Sequence, residues 1–115
     1  MKHNFEKLTI WQDAVDLAVK VILSVKDSTN YSLKDQLTRS SVSVPSNIAE
    51  GCERQTEKEF SRYLSIAAGS SGEVRTQLII ASRIGMIDKD SSEGVVEDYR
   101  KLSAQIYAFK NKINS

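Results

Sequence analysis

With 115 residues, 40% hydrophobic and 27% charged, the chain has the length and balance of one soluble domain spanning residues 1–115, not of two. No apolar run approaches the roughly 18 residues of a membrane span. The single Cys52 and single His3 exclude a disulfide framework and a Cys/His zinc site, and five glycines with one proline leave little material for the turns of an all-β fold.

Four helical patterns follow in chain order, over about residues 8–27, 32–53, 57–84 and 91–113. In the first, Leu8, Trp11, Val15, Ala18, Ile22 and Val25 recur three or four apart, as one face of a helix requires. Asp27 to Asn30 reads as a turn, because short polar side chains bond nearby backbone groups. The second pattern starts near Ser32, a candidate N-cap, and carries Leu33, Leu37, Ser40, Val44 and Ile48 on one face. Pro45 deletes a helical hydrogen bond and crowds the Ser41 carbonyl. The alternation of Val42 and Val44 with serines also admits a short strand, but the chain offers no partner strand. A helix kinked at Pro45 is therefore expected, with Gly51 near its end.

The third pattern opens on a capping box, Thr56-Glu57-Lys58-Glu59. Phe60, Leu64, Ala67, Ser71, Val74, Leu78 and Ala81 hold one phase to about Arg83, and Gly85 supplies a stop. That phase runs unbroken across Ala67-Ala68-Gly69-Ser70-Ser71-Gly72, so one helix with a thin waist is expected. The fourth follows Asp88 to Ser92, with Val95, Tyr99, Leu102, Ile106, Phe109 and Ile113 at alternating spacings of four and three. Acids cluster at its start and bases at its end, complementing the helix dipole. Short connections favour antiparallel neighbours, and the pattern predicts an all-α, up-down antiparallel four-helix bundle.

Two glycines in a helix cost about 1 kcal/mol each relative to alanine, so the waist needs a cause. Close packing against Ser40 to Ser46 explains it better than a phosphate loop, because Gly69 to Glu73 lacks both the lysine and the preceding strand of that motif. Asn47 and Glu50 share a helix face. Glu50 as a general base has no histidine, second carboxylate or metal ligand nearby in sequence, so a structural role is preferred. The serines at 40, 41, 43, 46, 70 and 71 are poor nucleophiles, because the only histidine is His3, at an expectedly frayed terminus.

Arg54, Lys58 and Arg62 make a basic stripe that Arg39 is placed to join, diluted by Glu53, Glu57 and Glu59. Sixteen basic residues against fifteen acidic ones give a net charge of +1, short of a dedicated nucleic-acid domain. The aromatics are not interleaved with these bases as a stacking platform. Apolar residues also lie off the main stripes: Leu17, Val21, Ile66, Ile79, Ile80 and Val96. Ile79 and Ile80 beside Met86 and Ile87 form the expected exposed patch, and self-association follows from it.

Taken together, Leu8 to Ala14, Leu37 to Gly51 with its Ser-Val-Pro-Ser-Asn-Ile-Ala-Glu-Gly run, Glu59-Phe60 and Ile66 to Ser70 resemble the ribosomal-RNA intervening-sequence proteins, often labelled "four helix bundle protein". That family is similar in fold to the accessory protein of diversity-generating retroelements, a barrel-like homopentamer that contacts a reverse transcriptase and nucleic acid. The resemblance implies an up-down bundle, a homo-oligomer with a pentamer favoured, and no known catalysis or cofactor. It marks Pro45, Asn47, Glu50 and Gly51 as a structural or interface motif. In a five-fold ring Arg39 or Arg62 appears five times, which concentrates a modest patch. The expected function is a non-enzymatic adaptor for structured RNA or an RNA-handling protein, with Arg39, Arg54, Lys58 and Arg62 as contacts and Ile66, Ile79, Ile80 and Ile87 at the oligomer interface. The alternative is a protein-binding scaffold without nucleic-acid affinity; a hydrolase using Glu50 is a distant third. No small-molecule substrate, metal or membrane partner is expected. The lone cysteine and the lack of a signal-peptide pattern at the N-terminus point to the cytoplasm.

Overall fold

The computed structural model describes residues 3–114. A single 3-10 turn, Phe5–Lys7, leads into four α-helices: α1 (Thr9–Val25), α2 (Tyr31–Cys52), α3 (Glu57–Arg83) and α4 (Lys89–Asn114). No strand occurs among the described residues, which removes the strand reading of Ser40 to Val44. The helix starts are set by side-chain caps. Asn30, not Ser32, caps α2 by accepting the Leu33 amide at 3.1 Å. Thr56 caps α3 by accepting the Glu59 amide at 3.1 Å, as its capping box predicts. Helix α2 runs on through Pro45 to Cys52, so Gly51 lies inside the helix and not at its stop. Helix α3 crosses the waist without a break and ends where Gly85 takes φ +77°, a conformation that strains any residue with a Cβ.

The helices pack in cyclic order, each against its chain neighbours, and α1 closes the ring on α4 through the narrowest of the four seams. The backbones of diagonal helices stand farther apart. The particle measures 45 × 21 × 20 Å, one helix length by two helix diameters. Pairings across α2 and α3 run in opposite senses: Ser40 meets Gln77, Ser43 meets Ser70, and Gly51 faces Tyr63. The same holds for α3 and α4, where Asn114 reaches Ser61 and Ser92 reaches Leu78.

The stripes of α2 and α3 are buried as the periodicity predicts. Helix α1 is turned instead. It buries Ile10, Ala14, Ala18, Val21 and Val25, while Trp11, Val15 and Ile22 are only half-buried. Helix α4 buries Val96, with Val95 and Phe109 at the edge of the core. Val21 and Val96, which sequence periodicity places off the main stripe, are therefore core residues, and Leu17 packs at the edge of the core. The seven buried serines among the described residues have their hydroxyls satisfied: Ser103 donates to Ser71 at 2.7 Å, Ser71 to the Tyr99 carbonyl at 3.1 Å, and Ser92 to the Leu78 carbonyl at 3.2 Å. Small side chains thus let α3 approach α2 and α4, as the waist requires. Its two glycines take no part: a Cβ on Gly69 meets nothing within 4 Å, and one on Gly72 meets only the tip of Arg75.

Candidate functional site

The Pro45–Gly51 run lies on α2 along its seam with α3, and its Asn47 and Glu50 each have an identifiable partner. Asn47 donates to the Ser43 carbonyl at 2.8 Å and to the Ser43 hydroxyl at 2.9 Å, while that hydroxyl also pairs with Ser70 of α3 at 2.8 Å. Asn47 therefore orients the hydroxyl that bridges the two helices. Gly51 is buried where α2 and α3 come close: a Cβ there would stand 2.6 Å from Tyr63 Cβ and 3.0 Å from Phe60 Cδ1.

Glu50 accepts a hydrogen bond from Arg54 at 3.0 Å in an exposed ion pair. Arg54 also donates to the Tyr63 hydroxyl, and its guanidinium lies 4.9 Å from the Tyr63 ring centroid. The Arg62 guanidinium lies 5.1 Å from the same ring. Hydrogen bonding to Tyr63, with Glu50 adding to it, holds Arg54 still more firmly protonated than an ordinary arginine. The result is a Tyr63 ring engaged by two cations at the end of the bundle where α2 turns into α3. Lys58 is exposed one turn before Arg62. Neither Lys58 nor Arg62 forms an ion pair with a described residue.

Arg39 does not join this cluster. It sits about 20 Å down α2 at 1.5 Å per residue, where it lines a shallow groove with Gln36, Ser40, Ser43, Glu73 and Gln77. Among the candidate interface residues, Ile66, Ile79 and Ile80 are exposed, whereas Ile87 is half-buried against the core. Sequence periodicity did not single out Val19, Leu23 and Ile84 as exposed apolar residues. For α1 the signal was there, since a helix apolar on nearly every side must leave some of those side chains outside. Tyr63 was also missed as a site residue, although it directly follows Arg62.

Glu50 is committed to Arg54, and His3 lies between the Phe60 and Phe109 rings, with centroids 5.8 and 5.5 Å away. His3 is thus docked and not frayed, and its backbone carbonyl accepts from the buried Cys52 thiol. Among the described residues no three His, Cys, Asp or Glu side chains gather as metal ligands, and no helix is long and apolar enough to cross a membrane.

Comparison with known proteins gives a consistent picture. The family described as 23S rRNA-intervening sequence protein matches over residues 6–108. No curated protein matches the chain. Among solved structures, the crystal structure of a protein with unknown function from the S23 ribosomal protein family of Bacteroides thetaiotaomicron VPI-5482 is similar at TM-score 0.83 and 20% identity. The similarity covers 89% of this chain and 98% of that one. At that identity the likeness speaks for the fold.

Proposed function

The chain belongs to the 23S rRNA-intervening sequence protein family, and on that premise we propose that it is a non-enzymatic, self-associating helical adaptor that binds structured RNA through the α2–α3 end of the bundle. The observation that carries the RNA half is the Arg54–Tyr63–Arg62 stack. Tyr63 and Glu50 hold Arg54, while the exposed Arg62 keeps its guanidinium 5.1 Å from the ring centroid, with no ion pair to a described residue. A planar guanidinium fixed in this way suits phosphate and exposed bases, and Lys58 adds a second charge one turn away. The chain's net charge of +1 makes a single patch weak, and self-association multiplies it. Exposed aliphatic side chains on α1 and α3 support that second half.

The test is binding of a folded RNA hairpin by fluorescence anisotropy across a salt series, with an unstructured RNA and a duplex DNA as controls. Lys58→Glu with Arg62→Glu is expected to weaken hairpin binding and to flatten the log–log salt slope by about 1.4–1.8 per chain engaged. Equal binding by parent and variant would refute the assignment. No binding by the parent even at 50 mM salt would leave the scaffold reading, without nucleic-acid affinity, in its place.

A further inference from the structure

Toward the pole opposite Tyr63, the seam of α3 with α4 opens into a groove of about 620 Å³, inside the roughly 300–1,000 Å³ range of small-molecule sites. Its middle is aliphatic. Val96 on α4 is buried at the floor, and Ile79 on α3 stands 39% exposed in the same groove.

The charges around this strip are unevenly distributed. At one end Glu97 pairs with Arg100, so the two largely neutralise each other. At the other end lie Arg83, in the last turn of α3, and Lys89, the first residue of α4. Both are exposed, and neither forms an ion pair with a described residue. Ser82 beside them is half-buried, and its hydroxyl makes no hydrogen bond to a described residue. Glu93, one turn along α4 from Lys89, also lines the groove without an ion pair to a described residue. Two cations on one groove raise the local positive potential, and the aliphatic strip next to them favours a body that water solvates poorly. Guanidinium, ammonium and hydroxyl groups together present hydrogen-bond donors of the kind that hold a carboxylate, phosphate or sulfonate.

We propose that this groove binds an amphipathic organic anion, an apolar body carrying one carboxylate, phosphate or sulfonate. The anionic group lies against Arg83 and Lys89 and accepts a hydrogen bond from Ser82. The apolar body runs over Ile79 and Val96 toward Arg100. Glu93 sets the direction, because its charge repels an anion placed in mid-groove and so keeps the head group at the Arg83 end. RNA binding at the Tyr63 pole uses none of these residues, so the two readings stand or fall separately.

The test uses anilinonaphthalene sulfonate as the anion and phenylnaphthylamine, the same rings without the sulfonate, as its neutral counterpart. Fluorescence titration of the full chain is expected to show a single saturable sulfonate site. Arg83→Glu with Lys89→Glu is expected to weaken sulfonate binding by about tenfold or more and to leave the neutral amine within about twofold, since the aliphatic strip is intact. Glu93→Gln is expected to tighten the sulfonate by up to about fivefold, and Ile79→Glu to weaken both ligands. Circular dichroism checks folding, light scattering checks molar mass, and RNA hairpin binding is expected to be the same in all variants. No saturable binding by the parent, or sulfonate binding that survives the double charge reversal, would overturn the site. A charge-reversed variant whose molar mass falls would assign the groove to a contact between copies and overturn it likewise.

Discussion

Alanine in place of Gly51 tests whether this glycine is present for close approach and not for flexibility. Helix propensity alone makes Gly→Ala favourable by about 1 kcal/mol at an interior helical position. Against that, the new Cβ would stand 2.6 Å from Tyr63 Cβ, 3.0 Å from Phe60 Cδ1 and 3.3 Å from the Phe60 carbonyl oxygen. A carbon pair needs about 3.5–4.0 Å, so the overlap is near 1 Å. The atom it strikes is anchored to the α3 backbone and cannot swing away. Relief requires α3 to move off α2 across the most extensive helix–helix contact in the bundle. Overpacking of this kind costs about 1–3 kcal/mol. The upper end applies here, which leaves a net loss of about 2 kcal/mol and a fall in Tm on the order of 10 °C. Gly94→Ala on α4 is the matched control, since its Cβ meets nothing within 4 Å; it is expected to gain up to about 1 kcal/mol. Thermal and urea melts at one fixed protomer concentration read both variants. A Gly51→Ala chain that melts at or above the parent refutes the close-approach argument, whatever the control does.

Two further predictions concern titrating groups. Tyr99 is fully buried and its hydroxyl has no hydrogen-bond partner among the described residues, so Tyr99→Phe is expected to raise stability at neutral pH by about 1 kcal/mol, the low end of the desolvation penalty for an unsatisfied hydroxyl. Burial also raises the Tyr99 phenol above its ordinary value of 10.0. The folded chain therefore keeps it neutral where the unfolded chain ionises, and stability falls above pH 10 by up to about 1.4 kcal/mol per pH unit. Urea melts between pH 8 and 11 should show that loss reduced in the phenylalanine variant, and parallel profiles would count against it. Asp88 accepts the Ser91 amide at 2.9 Å, and that bond holds its carboxyl below the ordinary 3.8. Its stabilisation is present above that value and is lost as pH falls through the depressed one. Asp88→Asn should therefore flatten the acid side of the Tm profile between pH 2 and 6, and an unchanged profile would contradict the assignment.

Helices α2 and α3 could be read from sequence because each offers one continuous apolar line interrupted only by serine or alanine. Helix α1 could not, because Leu8, Trp11, Val15 and Ile22 make as good a stripe as Ile10, Ala14, Ala18 and Val21. The structure buries the line with the smaller side chains, and that choice belongs to the neighbours and not to α1 itself. The same holds at the site. Gly51 has the local look of a helix stop, and only Tyr63, twelve residues on, shows that it is a contact point. Asn47 and Glu50 were correctly placed on one face, but what each bonds depends on Ser43, Ser70 and Arg54. The basic stripe divides for a geometric reason: Arg54 and Arg62 flank one turn between helices, while Arg39 points from the far half of α2.

Four helices traversed up and down return the chain to the end at which it began. His3 rests on Phe60 and Phe109, and Asn114 holds Ser61 at 3.0 Å, so both ends of the described chain stand at the pole that carries Tyr63 and its two arginines. A fluorophore, affinity handle or surface tether attached at either end would crowd that pole and shield it from a bulky ligand. The turn from Asp27 to Asn30 lies at the opposite pole, some 45 Å away along the long axis. A label or linkage placed there leaves the cationic pole facing open solvent.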